Sequence, residues 1–482
     1  MTSTVQPKPR PSASFMMEPP GGSSFPPADG EAGGPRLMLP NFLRMTVAFS
    51  VNHGAVAAML NLSVVLLGDA GSYQSGALYL SYALTALLFS PALLSVLGAR
   101  SSLLLGASLY CVYVLSFSAA LITPVDMAAV RFAVALVGGV VGGFAAGFLW
   151  AAQGTYFADN AKLYAIERGI DPAEANTKLA SIFAGTFLGI EVALKLLPQA
   201  LTPLKGIDFR VTPNGSLISA QQLVQALAYA VFAIISVFGL LSIRDLRPLL
   251  AAEAARTDPL EPPSESKRAA LLGVRPPNLF AKATAAVGLW CKQPTVLLLA
   301  PIQVTFGVSA SLLAYQVTSS WLVSAFGKAE SLVLGSFLSA LVALSAALLQ
   351  LPFKWAASRC GKQPVMLLGL AAFLSLSLLV LTGPPSPDAS ASTWLLLLSC
   401  YLLQGVGRAC YEGTNKALYA DFFPRDSGAA FSNIVLANGI ASATAFFTFP
   451  SLSKDAMATA ALVCASVTIV SYVVAEVLHR QR

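Results

Sequence analysis

Apolar residues in this chain run in long stretches, broken neither by the alternation of a half-buried strand nor by the polar stripe of a surface helix. Charge is absent between Asp69 and Arg100, between Arg100 and Asp126, and between Arg131 and Asp159. A bilayer core takes about 20 apolar residues of helix, and in lipid every backbone amide must find its partner within the spanning structure. Barrel strands are shorter and alternate, so these stretches predict helices. Twelve spans are read, over residues 42–67, 75–97, 102–122, 127–152, 177–198, 221–243, 294–325, 331–352, 364–383, 393–415, 427–449 and 456–478.

The stretches between spans set the organisation. Residues 1–40, rich in Pro, Gly and Ser, read as a disordered tail with no apolar face to bury and no signal-peptide core. Residues 41–243 form an N-terminal six-helix bundle, 244–293 a linker, and 294–482 a C-terminal six-helix bundle. Within the linker Leu279, Ala283, Ala286 and Trp290 recur at helical spacing behind Asn278, which predicts a short interfacial helix. Asn214-Gly215-Ser216 is a glycosylation sequon or an unused turn near the membrane.

Composition agrees: 56% of residues are hydrophobic and 11% charged. The net charge of +7 forms no basic patch for nucleic acid, because the basic residues sit in short loops between apolar spans. With the N-terminus inside, 24 of the 30 Lys and Arg residues fall on the inner side. The positive-inside rule therefore places both termini in the cytoplasm, in the plasma membrane or an endomembrane. The six cysteines have no metal or redox spacing. The only histidines are His53 and His479, and no hydrolase, zinc or nucleotide motif occurs. The chain is read as no enzyme, without cofactor.

The two groups of six spans repeat. A shift of 263 residues carries Gly98 onto Gly361 and Gly106 onto Gly369, and a shift of 262 carries Gly143 onto Gly405 and Asp159 onto Asp421. Two parallel six-helix repeats joined by an inner linker are the architecture of the major facilitator superfamily.

Within that superfamily, LWAAQGTYFADNAKLYA (149–165), GVGRACYEGTNKALYADFF (405–423) and AAFSNIVLANGIASATAFF (429–447) resemble the signature of its Unc-ninety-three-like branch. Tyr79, Pro91, LGAR (97–100) and Tyr110 fall in the same order. The resemblance implies an all-α membrane protein of twelve transmembrane helices. It also implies either transport of an ion or small solute, or a non-transporting role as regulatory or trafficking subunit for a channel or receptor. The wider superfamily carries an acid in the loop after the second span, where it latches the inner gate. Here that loop is LGARSS, and its repeat is SRCGKQP (358–364). Neither has the acid.

Charge within a bilayer asks for a partner. Glu191 and Lys195 stand four apart in the fifth span, acid first, the favourable order. They are either a neutralising pair or a proton or ion site. Arg408 and Glu412 repeat the spacing in the tenth span, as an inner gate or a structural pair. The resemblance places first and seventh helices across a cavity, so Asn52 and His53 with Tyr315 and Gln316 are the substrate-site candidates. The bland alternative is a neutral histidine bonded to a neighbouring helix. Gly138, Gly139, Gly142, Gly143 and Gly147 read as helix packing. Partners expected are the bilayer, an unknown solute or ion, and a membrane protein, with no nucleic acid.

Overall fold

The computed structural model describes residues 37–210, 217–257, 287–384, 387–423 and 426–481. The tail over residues 1–36, the sequon at Asn214 and most of the expected interfacial helix lie outside them. Residues 287–292 are helical, and the Trp290 indole there donates to Asn433 Oδ1 at 2.6 Å.

Twelve helices cross in sequence. α1 is Met38–Leu67, α4 is Ala128–Arg168, α5 is Pro172–Lys195 and α6 is Ala220–Leu241. α2 runs as Asp69–Leu88 and, past an irregular Phe89, over 90–97, and α3 follows over 99–122. α7 begins as Thr295–Leu312, widens into a π-helical segment at Leu313–Trp321, and ends where Gly327 turns the chain into α8, 328–360. α9 is Lys362–Thr382. α10 is Ala391–Ala409, continued by a π-helical Cys410–Asn415 and by Lys416–Phe422. α11 is Ser427–Thr448 and α12 is Lys454–Arg480. Among the described residues nine helical stretches are long and apolar enough to cross a membrane. One of them, Thr295–Cys360, is two crossings bent at Gly327, and α2 and α10 complete the twelve.

With an even number of crossings, Leu37 and Gln481 share one face, here the terminal face; the opposite one is the distal face. Val137, Phe238, Leu348, Leu351, Leu395 and Val470 stand exposed. In water they would be a liability, whereas in lipid they are solvated.

The repeat is visible in the backbone. Gly98 between α2 and α3 has φ 77° and ψ 166°, and Gly361 between α8 and α9 has φ 84° and ψ 168°, a region essentially restricted to glycine. In α4, a Cβ on Gly143 would lie 2.1 Å from the Leu78 carbonyl of α2, and in α10 one on Gly405 would lie 3.4 Å from the Val342 carbonyl of α8. The glycines thus set how closely α4 meets α2 and α10 meets α8.

The halves meet across α2–α11 and α5–α8. Tyr79 stacks on Phe446 at 5.9 Å, and the Ser72 hydroxyl donates to the Phe446 carbonyl at 2.7 Å. Gln199 donates to the Val333 carbonyl at 2.7 Å, and Lys205 pairs with Glu330. The Ser72, Gln199 and Lys205 links lie toward the distal face.

Candidate functional site

α5 carries Phe183, Phe187, Glu191 and Lys195 at four-residue intervals, a spacing that keeps side chains on neighbouring faces of a helix. The last two form the expected pair, Lys195 Nζ to Glu191 Oε1 at 2.8 Å. A third member comes from the other half. Arg408 of α10 donates from Nη1 to Glu191 Oε1 at 3.1 Å and from Nη2 to Oε2 at 3.3 Å. This two-pronged geometry suits guanidinium and carboxylate. The Glu191 and Lys195 side chains are 3% and 5% exposed, and that of Arg408 is 22%. One carboxylate therefore serves two cations, Lys195 buried and Arg408 partly exposed, and bridges the halves inside the membrane.

The expected Arg408–Glu412 pair is not made. Glu412 instead accepts from Lys416 Nζ at 2.6 Å. Two causes combine. Lys416 follows Glu412 in the favourable acid-first order, and deeply buried Glu191 gains more from a guanidinium than half-exposed Glu412 does. Arg408 also lies just before the π-helical Cys410–Asn415, a distortion frequent at functional sites.

His53 faces this cluster through rings. Its imidazole lies 4.9 Å from the Trp150 ring, 5.5 Å from Phe187, and 6.2 Å from both Phe49 and Tyr110. Its Nδ1 is buried with no hydrogen-bond partner among the described residues. Gly54 brings α1 close to α5, since a Cβ there would lie 3.7 Å from Glu191 Cα. Glu191, Arg408, Lys195 and Glu412 all lie within electrostatic reach of His53.

The four polar candidates do not converge on one point. Asn52 donates to the Ala107 and Ala233 carbonyls at 3.3 Å and to Ser236 Oγ at 2.8 Å, tying α1 to α3 and α6 within its own half. Successive helical residues point about 100° apart, so Asn52 turns inward when His53 turns to the rings. Gln316 is buried and donates to Ser320 Oγ at 3.4 Å. Tyr315 packs edge-on to Phe449 at 6.4 Å. Both lie in the π-helical Leu313–Trp321.

The polar glue between α7 and α10 is Gln303 with Asn415, which exchange amide bonds at 3.2 and 3.3 Å. A separate groove of about 470 Å³ opens between α7, α11 and α12, lined by uncharged residues such as Val304, Leu436, Ile440 and Cys464. It is away from the charges.

An acid–base pair lies near the loop at Gly98. Asp245, after α6, accepts from Arg247 Nη2 at 2.7 Å, and the Arg247 guanidinium sits against Gly98. Arg247's hydrogen bonds hold the Asp245 carboxyl below its ordinary range. Arg100 donates to the Ile243 and Leu241 carbonyls at 2.8 and 2.9 Å. In the second half Lys362 pairs with Asp421.

A family model described as "Ion channel regulatory protein UNC-93" matches residues 67–475. Among solved structures, the chain is similar to the nucleoside transporter NupG, with a TM-score of 0.58 and 14% identity over 92% of this chain and 98% of that one. It is similar to the inward-open xylose transporter XylE from E. coli, with a TM-score of 0.60 and 12% identity over 91% and 95%. A bacterial homologue of the human drug peptide transporters PepT1 and PepT2 gives 0.55 and 14% over 92% and 100%. At such identities the likeness shows the fold: the major facilitator type, twelve helices in two six-helix bundles.

Proposed function

The chain belongs to the family of the ion channel regulatory protein UNC-93, and on that premise we propose that it moves an ion or small solute by alternating access. The observation that carries this reading is the Glu191–Arg408 pair, which joins the halves inside the membrane beside a π-helical turn. A charge pair between two mobile bundles is an element whose making and breaking can accompany their rocking. A buried pair is weak evidence of stability, because desolvation offsets most of its attraction. That leaves room for a working role. Both termini are cytoplasmic in this reading, from the distribution of Lys and Arg.

The test is flux of protons and potassium through the purified chain in liposomes, native against Arg408→Gln. Native flux that the variant loses while still reconstituting supports transport. Equal flux from both overturns the role of the pair.

The family description favours a second reading, a regulatory subunit of a channel. Recognition would then use exposed helix faces, and Arg408→Gln would leave partner binding intact in a chain without flux.

A further inference from the structure

We propose that the cluster of Glu191, Lys195 and Arg408 binds an organic anion, its negative group taken by Arg408 within the field of buried Lys195 and its apolar, ring-bearing body laid on His53, Trp150 and Phe187. This rests on the transport reading only in taking the space between the halves for the solute site.

Charge is the first ground. Glu191 is shared by Lys195 and Arg408, while Glu412 is matched by Lys416, so the buried cluster carries one cation more than it neutralises. In a low-dielectric interior an uncompensated charge is expensive and calls for a counter-ion. A monovalent anion completes the cluster, and a cation makes it worse.

Donor supply is the second. Arg408 has five N–H donors, and its bonds to Glu191 use one from Nη1 and one from Nη2. Its side chain is 22% exposed against 3% for Glu191, so it is the member of the cluster that a solute can reach. A carboxylate approaching the guanidinium need not displace Glu191 to find donors.

The third ground is the ring surface. Phe187 sits one helical turn, about 6 Å, from Glu191 on α5. It stacks with Phe183 at 5.6 Å and with His53 at 5.5 Å, and meets Trp150 edge-on at 5.8 Å. Trp150, Phe183, Phe187 and His53 are each only partly buried. The rings alone would also suit a quaternary ammonium, which binds aromatic faces. Arg408 and Lys195 beside them repel such a ligand and decide for the anion. His53 adds a buried Nδ1 without a partner among the described residues, a polar group at the edge of the ring surface.

The experiment measures binding of four probes to the purified full-length chain in nanodiscs, read by the thermal midpoint of unfolding and by tryptophan fluorescence. The probes are 2-naphthoate, 2-naphthylmethanol, 2-naphthylmethylammonium and acetate. 2-Naphthoate should bind at least about tenfold more tightly than the alcohol or acetate, the ratio that a single lost charge-assisted contact produces. The ammonium should not compete with it. Lys195→Met leaves a neutral Glu191–Arg408 pair and should weaken 2-naphthoate by about tenfold, while Phe187→Ala should narrow the gap between 2-naphthoate and acetate. Equal binding of the naphthoate and the ammonium, or undiminished naphthoate binding in Lys195→Met, overturns the proposal. If Lys195→Met does not fold, the probe panel on the native chain decides by itself. Naphthoate binding without uptake of naphthoate, protons or potassium into liposomes removes the transport reading and leaves the anion site standing. Proton or potassium flux without naphthoate binding does the reverse.

Discussion

Glu191 is held between Lys195 and Arg408 and is almost wholly buried. Neutralising it leaves two like charges facing each other in low dielectric, and breaking a buried pair typically costs about 3–5 kcal/mol. Glu191→Gln should therefore lower the thermal midpoint and the yield of monodisperse protein sharply. Glu191→Gln with Lys195→Met should recover only part, because Arg408 stays unpaired. Adding Arg408→Gln to that pair should recover most of the loss. A double variant as stable as the native chain would show that Arg408 does not depend on Glu191. The Glu191–Lys195 pair was legible in the sequence from its spacing. Arg408 was not, since its partner lies 217 residues away and local spacing offered it Glu412. The missed signal was Lys416, which stands acid-first with Glu412 and leaves Arg408 over. The rings around His53 come from α1, α3, α4 and α5, so only the Phe183–Phe187–Glu191–Lys195 interval on α5 hinted at them.

At the scale of elements, twelve spans were legible because hydropathy reports the bilayer directly. Helix ends were less so. α4 continues to Arg168, well past residue 152, because backbone hydrogen bonding does not stop where the apolar run does. The π-helical turns were invisible, as no residue type announces them. The repeat was legible through glycines, and the structure gives the reason: Gly98 and Gly361 share one glycine-specific conformation. Gly361→Ala, with no atom within 4 Å of the new Cβ, isolates backbone strain and should cost roughly 1–3 kcal/mol. Gly98→Ala adds a clash at 2.8 Å with the Arg247 guanidinium, which can move aside, so both should lower the thermal midpoint by similar amounts. The α4 glycines give a sharper contrast. Gly143→Ala drives a Cβ to 2.1 Å from a backbone carbonyl, whereas Gly154→Ala meets nothing within 4 Å. The first should destabilise markedly, and the second should be neutral or gain up to about 1 kcal/mol of helix propensity. Equal midpoints for the two would mean that α2 and α4 are not packed through Gly143.

For the whole molecule, what matters is which face the halves close. Links toward the distal face join them through Ser72–Phe446, Gln199–Val333 and Lys205–Glu330. Lys205 and Glu330 are 35% and 47% exposed, and such pairs contribute roughly 0–1 kcal/mol, too little to govern folding. Two access states separated by a few kcal/mol are another matter, because 1 kcal/mol changes their ratio about fivefold. Lys205→Glu should leave the thermal midpoint nearly unchanged yet populate states with the distal face apart. Lys205→Glu with Glu330→Lys should restore the native distribution. Spin labels on cysteines placed at exposed Asp126, beyond the distal end of α3, and exposed Ser392, in the first turn of α10 at its distal end, read the separation by pulsed dipolar spectroscopy, with exposed Cys291 and Cys360 replaced. A longer distance in the single reversal that shortens again in the double makes this pair a latch. Identical distributions in all three chains would assign closure to the Ser72 and Gln199 contacts alone, and the ion pair would then be an incidental neighbour of the seam.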